Sequence, residues 1–134
     1  MFILRQTSLL MKKIEKEYLI HCSPRLLFSM ISTSNGLAEW FADKVEVRHD
    51  KYSFHWDGSD QNATLIASKE NEFVRFRWEK DEDTGYYFEF KIVVDSLTND
   101  VALVITDFCE ADEENETIML WDRQVADLKH SIGA

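Results

Sequence analysis

Proline is almost absent from this chain and glycine is scarce: one and four in 134 residues. Collagen-like and low-complexity architectures, which need both in quantity, are excluded. The length and a 45% hydrophobic content fit one globular domain. Cysteine is equally sparse. Cys22 and Cys109 cannot build a disulfide framework, and with no CxxC pair there is no zinc or dithiol redox motif. Buried thiols in a reducing cytoplasm are the expectation; one Cys22–Cys109 disulfide stays open, because both fall at strand ends. No apolar run approaches the roughly 18–20 residues that span a bilayer, so no membrane insertion is expected. The first ten residues, MFILRQTSLL, lack the basic start and small-residue cleavage site of a signal peptide. Met11 opens a more natural start, MKKIEKEYLI. Residues 1–10 are therefore expected to be an upstream extension, disordered or the product of a misassigned start, ahead of a domain spanning 11–134. The Asn62-Ala-Thr64 and Asn115-Glu-Thr117 sequons then read as accidental.

Positive charge is in deficit, with 15 bases against 25 acids and a net charge of -10. Phosphate backbones repel such a chain, so nucleic acid is not an expected partner. The acids gather at Asp81, Glu82 and Asp83 and at Asp112, Glu113, Glu114 and Glu116, a pattern that reads as solvated turns. Catalytic and metal motifs are missing as well. His21, His49, His55 and His130 have no HxxxH spacing, and GxSxG does not occur. No cysteine nucleophile activated by a histidine is expected, although partners distant in sequence stay open. No metal and no cofactor is expected.

What the chain does have is periodicity. Ile14, Tyr18, Ile20 and Cys22 alternate loosely with charged residues, giving a first strand with one wet face. Ser23-Pro24 is a helix start, serine as N-cap and proline at the first position. Leu27, Phe28, Met30 and Ile31 give that short helix its apolar face. Ser32 through Gly36 break it, and a second short helix follows with Leu37, Trp40 and Phe41 on one side. Strand patterns then succeed one another. Val45 and Val47; Tyr52, Phe54 and Trp56; Ala63, Leu65 and Ala67; Val74, Phe76 and Trp78; Tyr86, Phe88, Phe90, Ile92 and Val94; and Val101, Leu103 and Ile105 all alternate with polar residues. Turns at Asp57–Asp60, Asn71, Lys80–Gly85 and Leu97–Asp100 separate them. Short strands at hairpin spacing make an antiparallel sheet with one apolar, aromatic face. Ile118, Trp121, Val125, Leu128 and Ile132 form the stripe of a long closing helix near residues 113–132, with Lys129 and His130 suiting its C-terminal dipole and Gly133 placed as its cap. Sheet and helix each have one dry face and must bury it against the other.

The segments SPRLLFSMIS and NGLAEWFADKV, followed by the strand-rich middle and the terminal helix, resemble the START-like superfamily, the helix-grip fold. The resemblance covers nearly the whole chain from Met11. The GLAEWFAD stretch looks like the branch related to the C-terminal domain of the heat-shock-chaperone ATPase activator. The compact length and the ending LKHSIGA are similar to small START-like proteins of Bacteroides-type bacteria. The resemblance implies an α+β fold: a curved antiparallel sheet gripping the C-terminal helix, with two short helices sealing one end. It also implies three functional classes. The first is non-catalytic binding of a small hydrophobic or amphipathic ligand between sheet and helix. The second is interaction with a chaperone as protein partner, of the ATPase-activator type. The third is a cyclase- or hydrolase-like enzyme, whose pocket polar residues the sequence does not reveal. No counterpart of the activator's additional N-terminal domain is expected in this chain.

Trp40, Phe41, Phe54, Trp56, Phe76, Trp78, Phe88, Phe90, Trp121 and Val125 are the candidate pocket residues. Either they line an apolar cavity suited to a small molecule or they fill the space as a solid core. Arg75, Arg77, Glu79, Glu89 and Lys91 share one parity of two neighbouring strands, as an anion-binding patch or as a ladder of solvent-face ion pairs. The closing helix carries a testable expectation. Trp121→Ala should cost about 3–5 kcal/mol, seen as a lower denaturant midpoint; a midpoint equal to wild type would refute it.

Overall fold

The computed structural model describes residues 11–134, so the expectation for residues 1–10 lies outside the described residues. Seven strands form one antiparallel sheet: β1 (Met11–Leu19), β2 (Lys44–Arg48), β3 (Lys51–Trp56), β4 (Ser59–Lys69), β5 (Phe73–Trp78), β6 (Phe88–Val94) and β7 (Val101–Glu110). Their spatial order is β1-β7-β6-β5-β4-β3-β2. Consecutive strands from β2 to β7 are hairpin neighbours, and the chain's first strand closes against its last. Positive φ angles at Asn71 and Asn99 (both 63°) and at Gly58 (84°) turn the hairpins, a conformation asparagine and glycine accept most readily. β4 carries a bulge, its register against β5 shifting between Leu65 and Ala67. The extra residue bends the strand and deepens the curve of the sheet.

Alternation puts Val74 and Phe76 of β5, Phe88, Phe90 and Ile92 of β6, and Leu103 and Ile105 of β7 on the concave face, all buried. The long helix α3 (Glu114–Ile132) lies across it and buries Trp121, Val125 and Leu128. Gly133 ends α3 in the left-handed region (φ 71°), and Ala134 N–H reaches the Lys129 carbonyl at 2.8 Å. Polar ties to β1 fix the angle of the helix. Lys12 Nζ meets Glu114 at 2.6 Å, and the Tyr18 hydroxyl donates to Asp122 at 2.7 Å.

Two short helices, α1 (Pro24–Ser32) and α2 (Ser34–Leu37), close one end of the concave face. Ser23 caps α1, its Oγ accepting from Leu26 N–H at 3.1 Å. The expected break over Ser32–Gly36 shrinks to one residue. Thr33 is extended (φ -100°, ψ 157°), its Oγ1 donating back to the Ser29 carbonyl at 2.7 Å and accepting from Gly36 N–H at 2.9 Å. One hydroxyl thus finishes one helix and starts the next. Trp40 and Phe41 sit not on α2 but in the turn after it, where Phe41 N–H bonds the Leu37 carbonyl at 2.8 Å.

The thiols of Cys22 and Cys109 are free. Cys109 lies opposite Lys12, at the start of β1, whereas Cys22 lies beyond its far end. The strand between spans roughly 24 Å at 3.4 Å per residue, far over the reach of a disulfide. The expected charge ladder reduces to one pair: Arg75 Nη2 to Glu89 at 2.7 Å. Arg77 instead donates to the Tyr86 carbonyl, and Glu79 has left the strand.

A Cβ on Gly36 would stand 2.6 Å from Met30 Cα; backbone, not a flexible side chain, blocks it. Gly36→Ala is therefore expected to destabilise by about 1–3 kcal/mol, and a thermal midpoint equal to wild type would contradict this packing. On the outer face of the sheet, both ring nitrogens of His55 lie 2.8 Å from carboxylates, Nδ1 from Asp60 and Nε2 from Glu46. The imidazolium donates to both, and these bonds raise its pKa. Its stabilising contribution is then full below the unfolded histidine value of about 6.5 and is lost as pH rises through the higher folded value. An NMR titration should place His55 above that value, and Glu46→Gln should lower it; an ordinary titration would overturn the clamp.

Candidate functional site

Between the β5–β6 connection, the end of β7 and the first turns of α3 lies a partly open cavity of about 500 Å³. Its apolar wall is made by Phe41, Trp56, Trp78, Tyr86, Tyr87, Phe108, Leu120 and Trp121, and its polar groups are Ser59, Gln61, Lys80, Asp81, Asp107, Cys109, Thr117 and Gln124. The cavity exists because the sheet splays there. The β6–β7 ladder begins only at Glu89 opposite Thr106, while β7 runs on to Glu110. Tyr86, expected as the first residue of β6, is kept off the ladder by side chains: Arg77 Nε–H donates to its carbonyl at 2.8 Å, and its own N–H donates to Thr84 Oγ1 at 3.0 Å.

The ten candidate residues divide between wall and filling. Phe41, Trp56, Trp78 and Trp121 line the cavity. Trp40, Phe54, Phe76, Phe88, Phe90 and Val125 pack in the core beside it, with Phe54, Phe76, Phe88 and Phe90 fully buried. Phe41 is the partition. Its ring stacks on Trp121 (centroids 5.8 Å, planes 13° apart) and meets Phe54 edge-on at 4.9 Å, within the 4.5–7 Å range favoured by aromatic pairs. Its carbonyl accepts from Trp56 Nε1–H at 2.8 Å and from Gln124 Nε2–H at 3.1 Å, so one peptide oxygen joins a strand to the helix. Trp40 turns away and donates to the Met30 carbonyl at 2.9 Å.

The parity of β7 supplies the polar floor. Val101, Leu103 and Ile105 face inward, and Asp107 continues the row, opposite Ile14 of β1. Asp107 Oδ2 accepts from Trp121 Nε1–H at 2.9 Å, and Oδ1 from Phe108 N–H at 2.7 Å. Solvent reaches the carboxyl through the cavity, yet protein crowds it on every other side. Burial pushes its pKa up; the two N–H donors and Lys80 pull it down, and Asp81 adds to the rise. Burial also raises the Cys109 thiol, which Glu113 and Glu114 reinforce. Sequence reasoning stopped the inward row at Ile105. The signal for Asp107 was there, as an acid on the apolar parity of a strand otherwise hydrophobic at that parity. Tyr86 falls on the apolar parity expected of β6, whereas Lys80 and Tyr87 carry no such signal, since only the path of the β5–β6 connection brings them to the cavity. Among the described residues no cluster of His, Cys, Asp and Glu could hold a metal ion, and no helix is long and apolar enough to cross a membrane.

Comparison with solved structures finds this fold elsewhere. The solution NMR structure of BfR322 from Bacteroides fragilis is 40% identical, with 91% of each chain covered and a TM-score of 0.65. The Aha1 dimer from Colwellia psychrerythraea is 16% identical, covering 88% of this chain and 93% of that one at a TM-score of 0.72. An uncharacterized protein from Bacillus thuringiensis, 14% identical, covers 92% of this chain and all of that one at 0.75. The latter two likenesses are of fold alone. Comparison with curated proteins gives no match. The START-like superfamily domain model matches residues 10–134, in agreement with the curved seven-stranded sheet and the helix it grips: the chain belongs to the START-like superfamily.

Proposed function

We propose that the protein binds a small hydrophobic or amphipathic molecule in the cavity between the sheet and α3. The observation that carries this is the cavity itself: about 500 Å³, walled by aromatic rings with a carboxylate set in its floor. Ligand sites are typically concave and apolar, with few polar groups that fix orientation. The ring-filled half of the core supports the reading, because it packs behind Phe41 and Trp121 and holds them in the cavity wall. The two unpaired thiols agree with a reducing, cytoplasmic setting.

Two other readings have an observation each. Leu19 and Val93 are exposed on either side of Ala102 on the outer face of the sheet, and Leu97 is 92% exposed at the adjoining hairpin tip. This patch would serve association with a protein partner such as a chaperone. An enzymatic reading would make Asp107 the proton carrier, since burial raises its pKa. The cavity joins an aromatic wall to polar groups that can orient a molecule, and the binding reading is preferred.

The test uses a neutral apolar fluorophore, N-phenyl-1-naphthylamine, titrated into the purified protein. Saturable one-to-one enhancement is expected. Thr117→Phe places a ring in the cavity from α3 and should weaken binding at least about tenfold, roughly 1.4 kcal/mol of affinity. Its denaturant midpoint should stay near wild type, reporting an intact fold. Absence of saturable binding to the wild-type protein would sink the proposal.

A further inference from the structure

We propose that the cavity selects a cation: an amphipathic amine or quaternary ammonium compound, its positive head against Asp107 and its apolar part between Trp56, Trp78 and Trp121. The inference rests on the cavity being a ligand site and names the class of ligand. Each Asp107 oxygen already accepts one protein N–H, from Trp121 and from Phe108. Both bonds hold the carboxylate in place without neutralising it, and each oxygen retains a lone pair. A carboxylate surrounded by protein attracts a cation far more strongly than one in bulk water. Aromatic rings in the same wall suit the apolar part of such a molecule, and aromatic enclosures are a recurrent means of holding ammonium compounds.

The surrounding charge has the same sign. Asp81 lines the cavity with Asp107, while Glu113 and Glu114 act on Cys109 in the same wall, and the chain as a whole carries -10. A cationic molecule is drawn toward such a mouth and an anionic one repelled. Lys80 is the opposing charge on the wall. It is exposed, so its ammonium stays hydrated at the rim and moderates the selection without supplying an ion pair to Asp107.

The experiment compares three probes with ten-carbon chains, each below its micelle or solubility limit: decyltrimethylammonium, 1-decanol and decanoate. Calorimetry, or quenching of Trp56, Trp78 and Trp121, reads the binding. The expected order is cation, then alcohol, then carboxylate, with at least about tenfold between first and last for one unit charge at a partly buried site. Asp107→Asn, which still offers Trp121 an acceptor, should bring cation and alcohol to within about twofold of each other. Lys80→Gln, an exposed change that keeps the fold, should widen the preference for the cation over the alcohol. Decanoate binding as tightly as the cation, or a cation preference unchanged by both substitutions, would overturn the cation proposal alone. Failure of all three probes to bind would overturn the ligand-site reading with it.

Discussion

The structure depends on where Phe41 is held. Its ring stands between sheet and helix, touching Phe54, Trp78 and Phe88 on one side and stacking on Trp121 on the other. Its carbonyl takes hydrogen bonds from both β3 and α3. A curved sheet and a straight helix leave between them a space that widens toward one end. Phe41 marks where that space stops being filled. On its inner side aromatic packing is dense, as interiors require; on its outer side the rings form a wall. The turn that delivers Phe41 is fixed by Thr33 and Gly36, so two short helices that look like an end seal also set the boundary of the cavity.

Much of the architecture was legible in the sequence because it follows from period. Two-residue alternation located the strands, Asn71 and Asn99 marked their turns, and the stripe through Trp121, Val125 and Leu128 gave the long helix with its Gly133 cap. The features that escaped are those decided by single side-chain bonds. Thr33 compresses a five-residue break into one residue, and Arg77 and Thr84 between them hold Tyr86 off the ladder. The bulge after Leu65 leaves no mark that distinguishes it from regular alternation.

The site was half legible for the same reason. Periodicity marks a residue as inward-facing: strand parity found Trp56 and Trp78, and helical spacing found Trp121 and Phe41, the latter from a helix that ends at Leu37. Parity cannot say whether an inward ring meets another ring or an empty volume. That is decided by sheet curvature and by β7 extending past the start of its ladder with β6. Phe54, Phe76, Phe88 and Phe90 are therefore core residues of the same type and spacing as the wall residues beside them.

Position 107 has a further consequence, for divergence. It is one inward step on a strand whose other inward steps are Val101, Leu103, Ile105 and Cys109, and its backbone is the fourth of the nine β1–β7 pairs, opposite Ile14. The side chain there faces a space with room to spare, so exchanging it changes what the floor of the cavity offers without altering strand register or the bulk of the core. A descendant with leucine or isoleucine at this point would complete the apolar row and begin to close the space; one with lysine would invert its charge. A single codon thus separates apolar, acidic and basic versions of one cavity floor, while the register of β7 stays put.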